Sequence, residues 1–559
     1  MEIADETLQT TTIDHLGLIA AICKDLKIIE RIDRIIYKHD SGKNVTPGES
    51  VVAMILNGLG FVNRRLYLTP QFFSNKPTEE LIASGVQPEN LTYDTLASSL
   101  DDIYEYGPSR LFSEVAMSIA AEHSFCSDLA HLDSTSISVE GLYEKNEDAS
   151  DSLVITYGHS KDHRPDLKQF VMSLVVTGES RFPLWMEVLN GNSSDKSSFH
   201  DTIKKVRQFQ SEFTFDFEQK WVADSALYSK EKLLKNNDIS WLTRVPETLS
   251  AVKALVLKSD QDIQWADRGN GYKTACFKSD YGDIQQRWLL VFTQQGYDRE
   301  IKTLEKKLDS EELKIKKELR QMESKVFNCV LDAEKAISNF KKRKSLFTIE
   351  YEIVPVEKYL SKGRPTQDAL KEVVGYQVQG NIERSLSEIE RLMNAKGRFV
   401  LATNDLDEKN YPDEKILADY KEQQKPESCF RFLKDPWFML DSVYLKNASR
   451  VSALMMIMSL CLMVYNVAEY KLRRALREKE DTLPNQKGKE ISNPTLKWIF
   501  QMMEGINIVR FIDPDSQEVK REVLTNLNEN RSKIIQLFGE TACKIYGLIK
   551  KSTDYPLRI

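Results

Sequence analysis

The sequence predicts an α/β protein: a mixed sheet flanked by helices, preceded by a helical N-terminal domain, interrupted by a large α+β insertion and followed by a helical C-terminal region. Three observations predict it. Apolar residues recur at helical spacing up to about His123. Short runs rich in Val, Leu, Ile and Phe alternate with polar loops after Phe125. From about Pro246 that alternation is broken by a long segment with helical and β-like runs of its own. The 559 residues leave room for about three or four domains at roughly 150 residues each. Boundaries are expected at 1–124, 125–246, 247–412, 413–480 and 481–559.

The elements follow in order. Thr46 can cap a helix with Pro47 in its first turn and Glu49 completing a capping box, and Val51, Met54, Ile55 and Leu59 give that helix an apolar stripe. Further stripes run through Leu16–Ile29, Leu96–Ile103 and Leu111–Ile119, the last two separated by Gly107-Pro108. Ala130–Val139, Gln169–Val176 and Pro183–Leu189 then predict a meander of strands. A helix over Ser198–Phe209, a strand at Trp221–Asp224, a helix over Ser229–Lys235 and a strand at Ser240–Val245 complete the order βββαβαβ, the skeleton of an RNase H-like fold. In the interruption, Ile301, Leu304, Leu308, Ile315, Leu319, Met322 and Val326 predict a long amphipathic helix or a helical hairpin. The β-like runs Trp288–Thr293, Leu346–Val354 and Phe399–Thr403 make the block an insertion rather than a linker. Helical character dominates from Lys415 onward, with a polar loop at Thr482–Asn493.

Composition bounds the function. With 77 Lys and Arg against 84 Asp and Glu, net charge −7, no global basic field draws the whole molecule to nucleic acid, so any such contact is local. Seven cysteines without a C-x-x-C pair fit neither a disulfide framework nor a zinc ribbon, and a reducing cytosol is the expected compartment. The opening MEIADETLQT lacks the basic and apolar stretches of a secretory signal. The most apolar stretch, Val451–Ala468, contains Ser452, Ser459 and Asn466 and reads as a buried helix, so no membrane partner is expected.

Two acids stand where the strand order brings neighbours together. Asp133 lies within the first strand of the meander and Asp224 closes the fourth, and these strands are adjacent in an RNase H-like sheet. Hard oxygen ligands with open positions suit Mg²⁺ or Mn²⁺, which complete their shells with water and substrate phosphate. Around a third acid, Glu427, the residues Tyr420, Gln423, Arg431 and Lys434 fall at −7, −4, +4 and +7. At about 100° per residue they share one face of a single helix, where an acid framed by cations can hold metal and grip phosphates. Burial of an unpaired carboxylate in a strand is costly, so Asp133 asks for a cation or a hydrogen-bond network.

These residues resemble the DDE-class bacterial insertion-sequence transposases, whose third acid lies in a Y-x2-R-x3-E-x6-K signature, met here by Tyr420, Gln423, Glu427 and Lys434 with Gln423 in place of the arginine. The segment Tyr157-Gly158-His159-Ser160-Lys161-Asp162-His163-Arg164-Pro165-Asp166 is similar to the family too. The resemblance implies catalytic Asp133, Asp224 and Glu427 holding two Mg²⁺ or Mn²⁺ ions about 3.5–4 Å apart, and metal-dependent cleavage at element ends followed by strand transfer. It also implies an N-terminal domain that recognises terminal inverted repeats, and a homodimer joining two ends to target DNA in the bacterial cytosol, at the nucleoid. Tyr420, Gln423, Arg431 and Lys434 would position the DNA end, helped by Lys161, His163 and Arg164. His159 and His163 lack a third Cys or His nearby for zinc. The basic runs Lys341–Lys344 and Lys471–Arg474 are candidate backbone contacts. An RNase H-like nuclease that cuts without joining, and a catalytically silent DNA-binding descendant, are the alternative readings.

Overall fold

Strand β1 (Leu129–Val139) is the hub of the architecture. It pairs antiparallel with β2 (Lys168–Thr177), which pairs antiparallel with β3 (Phe182–Leu189), and on its other edge parallel with β4 (Lys220–Ala223). The computed structural model describes residues 7–37, 44–60, 66–141, 143, 153–212, 219–235, 238–342, 346–360, 370–435 and 447–549. Two units divide the chain: Met1–Leu227 with Asp238–Trp241 and Ala418–Ile559, and Tyr228–Asn237 with Leu242–Leu417.

In the first unit the spatial order of the strands is 3-2-1-4, with Trp221 N–H donating to the Ser240 carbonyl at 2.9 Å beyond β4. This is the expected RNase H-like mixed sheet. Gln169–Thr177 is buried at every position, as a strand covered on both faces must be. Alternation sorts β1 into two faces. His131, Asp133, Thr135 and Ile137 pair with Val176, Leu174, Met172 and Phe170 of β2, and the apolar members of that set join one core with Cys429, Phe430 and Leu433. The opposite face carries Ala130, Leu132 and Ser134. Helix α1 (Asp195–Glu212) separates β3 from β4 in sequence.

Three helices close the unit: α2 (Asp413–Lys421), α3 (Gln424–Leu433) and α4 (Ala448–Glu478). Only the end of α2, from Ala418, belongs to it. Among the described residues α4 alone is long and apolar enough to cross a membrane, and 89 % of its apolar window is buried. It is a core helix, packed on the N-terminal helices Leu16–Asp25, Pro47–Gly58, Tyr93–Tyr106 and Pro108–His123. Arg450 on Asp101 and Lys471 on Asp25 tie it to them at 2.7 and 2.6 Å. The Thr46 capping box forms as expected, and Gly107, at φ 104°, makes the break before Pro108.

The mostly helical N- and C-terminal regions also hold strands that the sequence reading did not place. Thr7–Thr12 is a strand paired with Asn507–Ile512, which pairs in turn with Val519–Thr525, and Leu483–Pro484 with Glu490–Ile491 forms a small ladder. The Thr-rich segment has strand propensity, but its partner lies almost the whole chain away, so no local pattern announces the pairing. The Asp513-Pro514-Asp515-Ser516 turn between Asn507–Ile512 and Val519–Thr525 is the signal for the other pair.

In the second unit, Leu242–Arg244 pairs antiparallel with Arg398–Thr403, followed by Gln286–Thr293, Tyr272–Ser279 and Ala266–Asp267. A 30-residue helix, Gln294–Glu323, and a second, Val330–Lys341, pack on the hairpin Phe347–Tyr359/Lys371–Arg384. Leu308 and Ile315 meet Phe347 and Ile382, and Leu319 meets Ile349 and Val378, which accounts for the apolar stripe of the long helix. Val326 lies past the end of that helix. Of the Lys341–Lys344 run, Arg343 and Lys344 fall outside the described residues.

Candidate active site

The last parallel pair between β1 and β4 is Leu132 with Ala223, and the next residues on the two chains are Asp133 and Asp224. Neighbouring strands run about 4.8 Å apart, so the two acids come side by side on one face. One oxygen of each is fixed by the chain that follows: Ser134 N–H donates to Asp133 Oδ1 at 2.7 Å, and Ala226 N–H to Asp224 Oδ1 at 2.8 Å. Both acids are half-buried.

Glu427 lies on α3, which packs against β1 and β2 through Cys429, Phe430 and Leu433. The expected single helix from Tyr420 to Lys434 is instead two. Pro426 has no N–H to give the Glu422 carbonyl, so α2 stops at Lys421 and a new helix starts at Gln424 with proline in its first turn. Lys425 N–H and Gln423 N–H make tighter bonds, to Glu422 and Tyr420 carbonyls at 2.8 and 3.0 Å. Tyr420 therefore belongs to α2. Glu427, Arg431 and Lys434, at i, i+4 and i+7, remain on one helical flank. Glu427 and Arg431 are exposed and Lys434 half-buried.

Two contacts orient α3. At its start Gln423 reaches the strand, Nε2 donating to the Leu132 carbonyl at 3.3 Å and Oε1 lying 3.4 Å from His131 Nδ1. At its end Lys434 Nζ meets both Asp162 oxygens at 2.7 Å. Asp162 follows Lys161, whose N–H donates to Ser136 Oγ at 2.8 Å and whose ammonium donates to the Ser134 carbonyl at 2.7 Å. The helix thus runs along β1 in the strand's own sense. Gln423 to Glu427 is about 6 Å of helix rise, and His131 to Asp133 is about 7 Å of strand. The helix rise from Gln423 to Glu427 thus nearly matches the advance of β1 from His131 to Asp133.

Electrostatics at the junction favour the ionised acid. The His131 ring, 3.6 Å from Glu422 Oε2, and the Lys425 ammonium at 2.7 Å hold the Glu422 carboxyl down at about 2. From the other side, Arg181 donates to Ser428 Oγ at 3.2 Å and pairs with Glu469 of α4 at 2.6 Å, while Asn466 Nδ2 donates to the Arg181 carbonyl at 2.9 Å.

The other candidates sit on the turn at 160–164. His163, at φ 58°, is exposed, and Arg164 pairs with Asp166 at 2.8 Å. His159 and His163 lie outside any helix, so the i, i+4 spacing has no helical meaning. Among the described residues no three His, Cys, Asp or Glu side chains form a ready-made metal cluster. What the fold brings together is two neighbouring aspartates and, on the helix packed against β1, Glu427. Sequence reasoning missed His131, Asp162 and Arg181; the His131-Leu132-Asp133 run offered the first, since a histidine two residues from a strand acid shares its face.

A family model described as Transposase DDE domain matches residues 125–466, well over half of the chain. The chain belongs to the DDE-domain transposases. A second model, the domain of unknown function DUF4277, matches residues 8–117. No curated protein matches the chain. Among solved structures it is similar to the piggyBac transposase synaptic complex with hairpin DNA, at 8 % identity and a TM-score of 0.36, covering 89 % of this chain and 81 % of that one. It is also similar to the Mos1 transposase paired-end complex with left transposon end, at 10 % identity and a TM-score of 0.15, covering 32 % and 56 %. This DDE transposase is an enzyme acting on DNA, of a class generally dependent on divalent metal. The candidate carboxylates Asp133, Asp224 and Glu427 offer the hard oxygens such ions take, and Asp133 and Asp224 are in register on neighbouring strands.

Proposed function

We propose that Asp133, Asp224 and Glu427 hold two Mg²⁺ or Mn²⁺ ions and that the enzyme cleaves at the ends of a DNA element and transfers the freed 3′ strand into target DNA. The observation that carries this reading is the register of β1 and β4, which makes Asp133 and Asp224 neighbours on the face along which the Glu427 helix runs. When bound, the ions supply Lewis acidity to the nucleophilic water or 3′-hydroxyl and to the leaving 3′-oxygen. The protein's part is positioning. The backbone N–H groups of Ser134 and Ala226 fix the aspartate orientations before any ligand arrives. Arg431 and Lys434, on the flank of Glu427, neutralise phosphates next to the scissile bond, with Tyr420 and the Lys161, His163 and Arg164 turn completing the grip on the terminal inverted repeat.

Two ends must meet one target, so a homodimer on DNA is part of the proposal, working at the nucleoid of the bacterial cytosol. The test is incubation of the full chain with duplexes carrying the element's ends, a supercoiled target and Mg²⁺. Joined end–target products are expected; nicked ends without joints would leave a nuclease, and intact ends a DNA-binding descendant.

A further inference from the structure

His131 is fully buried on the face of β1 that carries Asp133, and its ring is where the junction of α2 and α3 meets that strand. The Gln423 amide is oriented by its second bond. Nε2 is committed to the Leu132 carbonyl, so Oε1 faces His131 Nδ1 as an acceptor, while the other ring nitrogen faces Glu422 Oε2 at 3.6 Å. Pro426 has removed the backbone bond that would fasten the start of α3 to α2. Side chains hold that end of the helix on the strand instead, and Glu427 lies one turn further on.

We infer that His131 and Gln423 form a clamp that sets the reach of Glu427 toward Asp133, so that both are positioning residues for the metal site and Gln423 serves there rather than on DNA. This rests on Glu427 being a metal ligand. A partly buried donor–acceptor pair behind a carboxylate acts as the outer shell of a metal site does: it fixes where the ligand stands without touching the ion. An arginine at 423 could still donate to the Leu132 carbonyl, but it has no acceptor for the His131 N–H. The same position that grips phosphate as arginine grips the strand as glutamine.

The experiment uses the full chain and two readouts, Mn²⁺ binding followed by electron paramagnetic resonance without DNA, and cleavage of an end duplex across an Mn²⁺ series. His131→Leu and Gln423→Met should each weaken Mn²⁺ binding and raise the half-saturating Mn²⁺ about tenfold, leaving the rate at saturation within about threefold. His131→Asn, whose amide N–H stands near the lost Nδ1 donor, should recover most of both. Gln423→Arg should resemble Gln423→Met and bind ends no more tightly. Unchanged Mn²⁺ binding in the leucine and methionine variants would overturn the clamp, as would tighter end binding by Gln423→Arg at unchanged Mn²⁺ affinity. Should His131→Leu fail to fold, Gln423→Met at a half-buried position decides alone. Wild-type Mn²⁺ binding by Glu427→Gln would instead overturn the ligand reading of Glu427, and the clamp with it.

Discussion

Lys434 and Asp162 form a two-oxygen ion pair, both distances 2.7 Å, between the last turn of α3 and the turn beside β1. The carboxylate stands where a DNA phosphate would bind if Lys434 contacts the backbone, so binding must displace it. Asp162→Asn is expected to tighten end binding several-fold at low salt. Lys434→Ala should weaken binding, lower the slope of log K against log salt by about 0.9, and make Asp162→Asn nearly silent. Equal effects of Asp162→Asn with and without Lys434, in duplex titrations across a salt series, would show that the pair does not gate this contact.

Asp133→Asn, Asp224→Asn and Glu427→Gln should each abolish cleavage while leaving end binding in place. An amide keeps the shape of the side chain and loses the charge that holds a hard cation. Cleavage and gel-shift assays on the same end duplex check both halves, and full activity in any one variant would remove that residue from the site.

The catalytic sheet was legible because its strands are short apolar runs in sequence order, and adjacency of Asp133 and Asp224 follows from topology alone. Spacing singled out Glu427, yet the helix around it was not legible. Pro426 stands in the sequence, and a proline's lost N–H four residues after Glu422 is a local signal that outweighs a face drawn on an uninterrupted helix. The ion pair of Lys434 with Asp162 and the bonds of Gln423 to β1 are tertiary, joining residues some 270 and 290 positions apart. No periodicity encodes them. The strand at Thr7–Thr12 escaped for the same reason, since its partner begins at Asn507.

Glu469 is 4 % exposed, pairs with Arg181 and Arg473 at 2.6 and 3.0 Å, and accepts the Leu496 N–H at 3.0 Å. Glu469→Ala should cost roughly 2–4 kcal/mol, because it leaves two cations and a buried N–H without their acceptor while the arginines keep partial access to water. Urea unfolding monitored by circular dichroism measures it. Because Arg181 also holds Ser428, next to Glu427, the loss should extend to cleavage rate; a variant as stable as wild type would show the network to be dispensable.

His15 gives a pH dependence of known sign. It is buried, its Nε2 lies 2.8 Å from the Leu59 carbonyl and its ring stacks on Phe500 at 4.2 Å. Burial pushes its pKa down from 6.5 to about 4, against the smaller opposing effect of the Leu59 carbonyl. In the unfolded chain the ring protonates near 6.5, so between these values the unfolded state binds more protons and stability falls as pH falls. The contribution is fully present above about pH 7 and is lost progressively down to about pH 4, reaching roughly 2 kcal/mol by pH 5. Carboxylates titrate lower in this range, so the informative quantity is the difference between wild type and His15→Gln in urea midpoints at pH 7.5, 6 and 5. His15→Gln should be less stable at pH 7.5, having lost the stacked ring, and the gap should narrow by pH 5 as wild type pays for keeping a neutral imidazole. Stability curves that stay parallel across the window would mean that His15 takes up its proton in the folded protein, and that the packing of Phe500 over it yields to water.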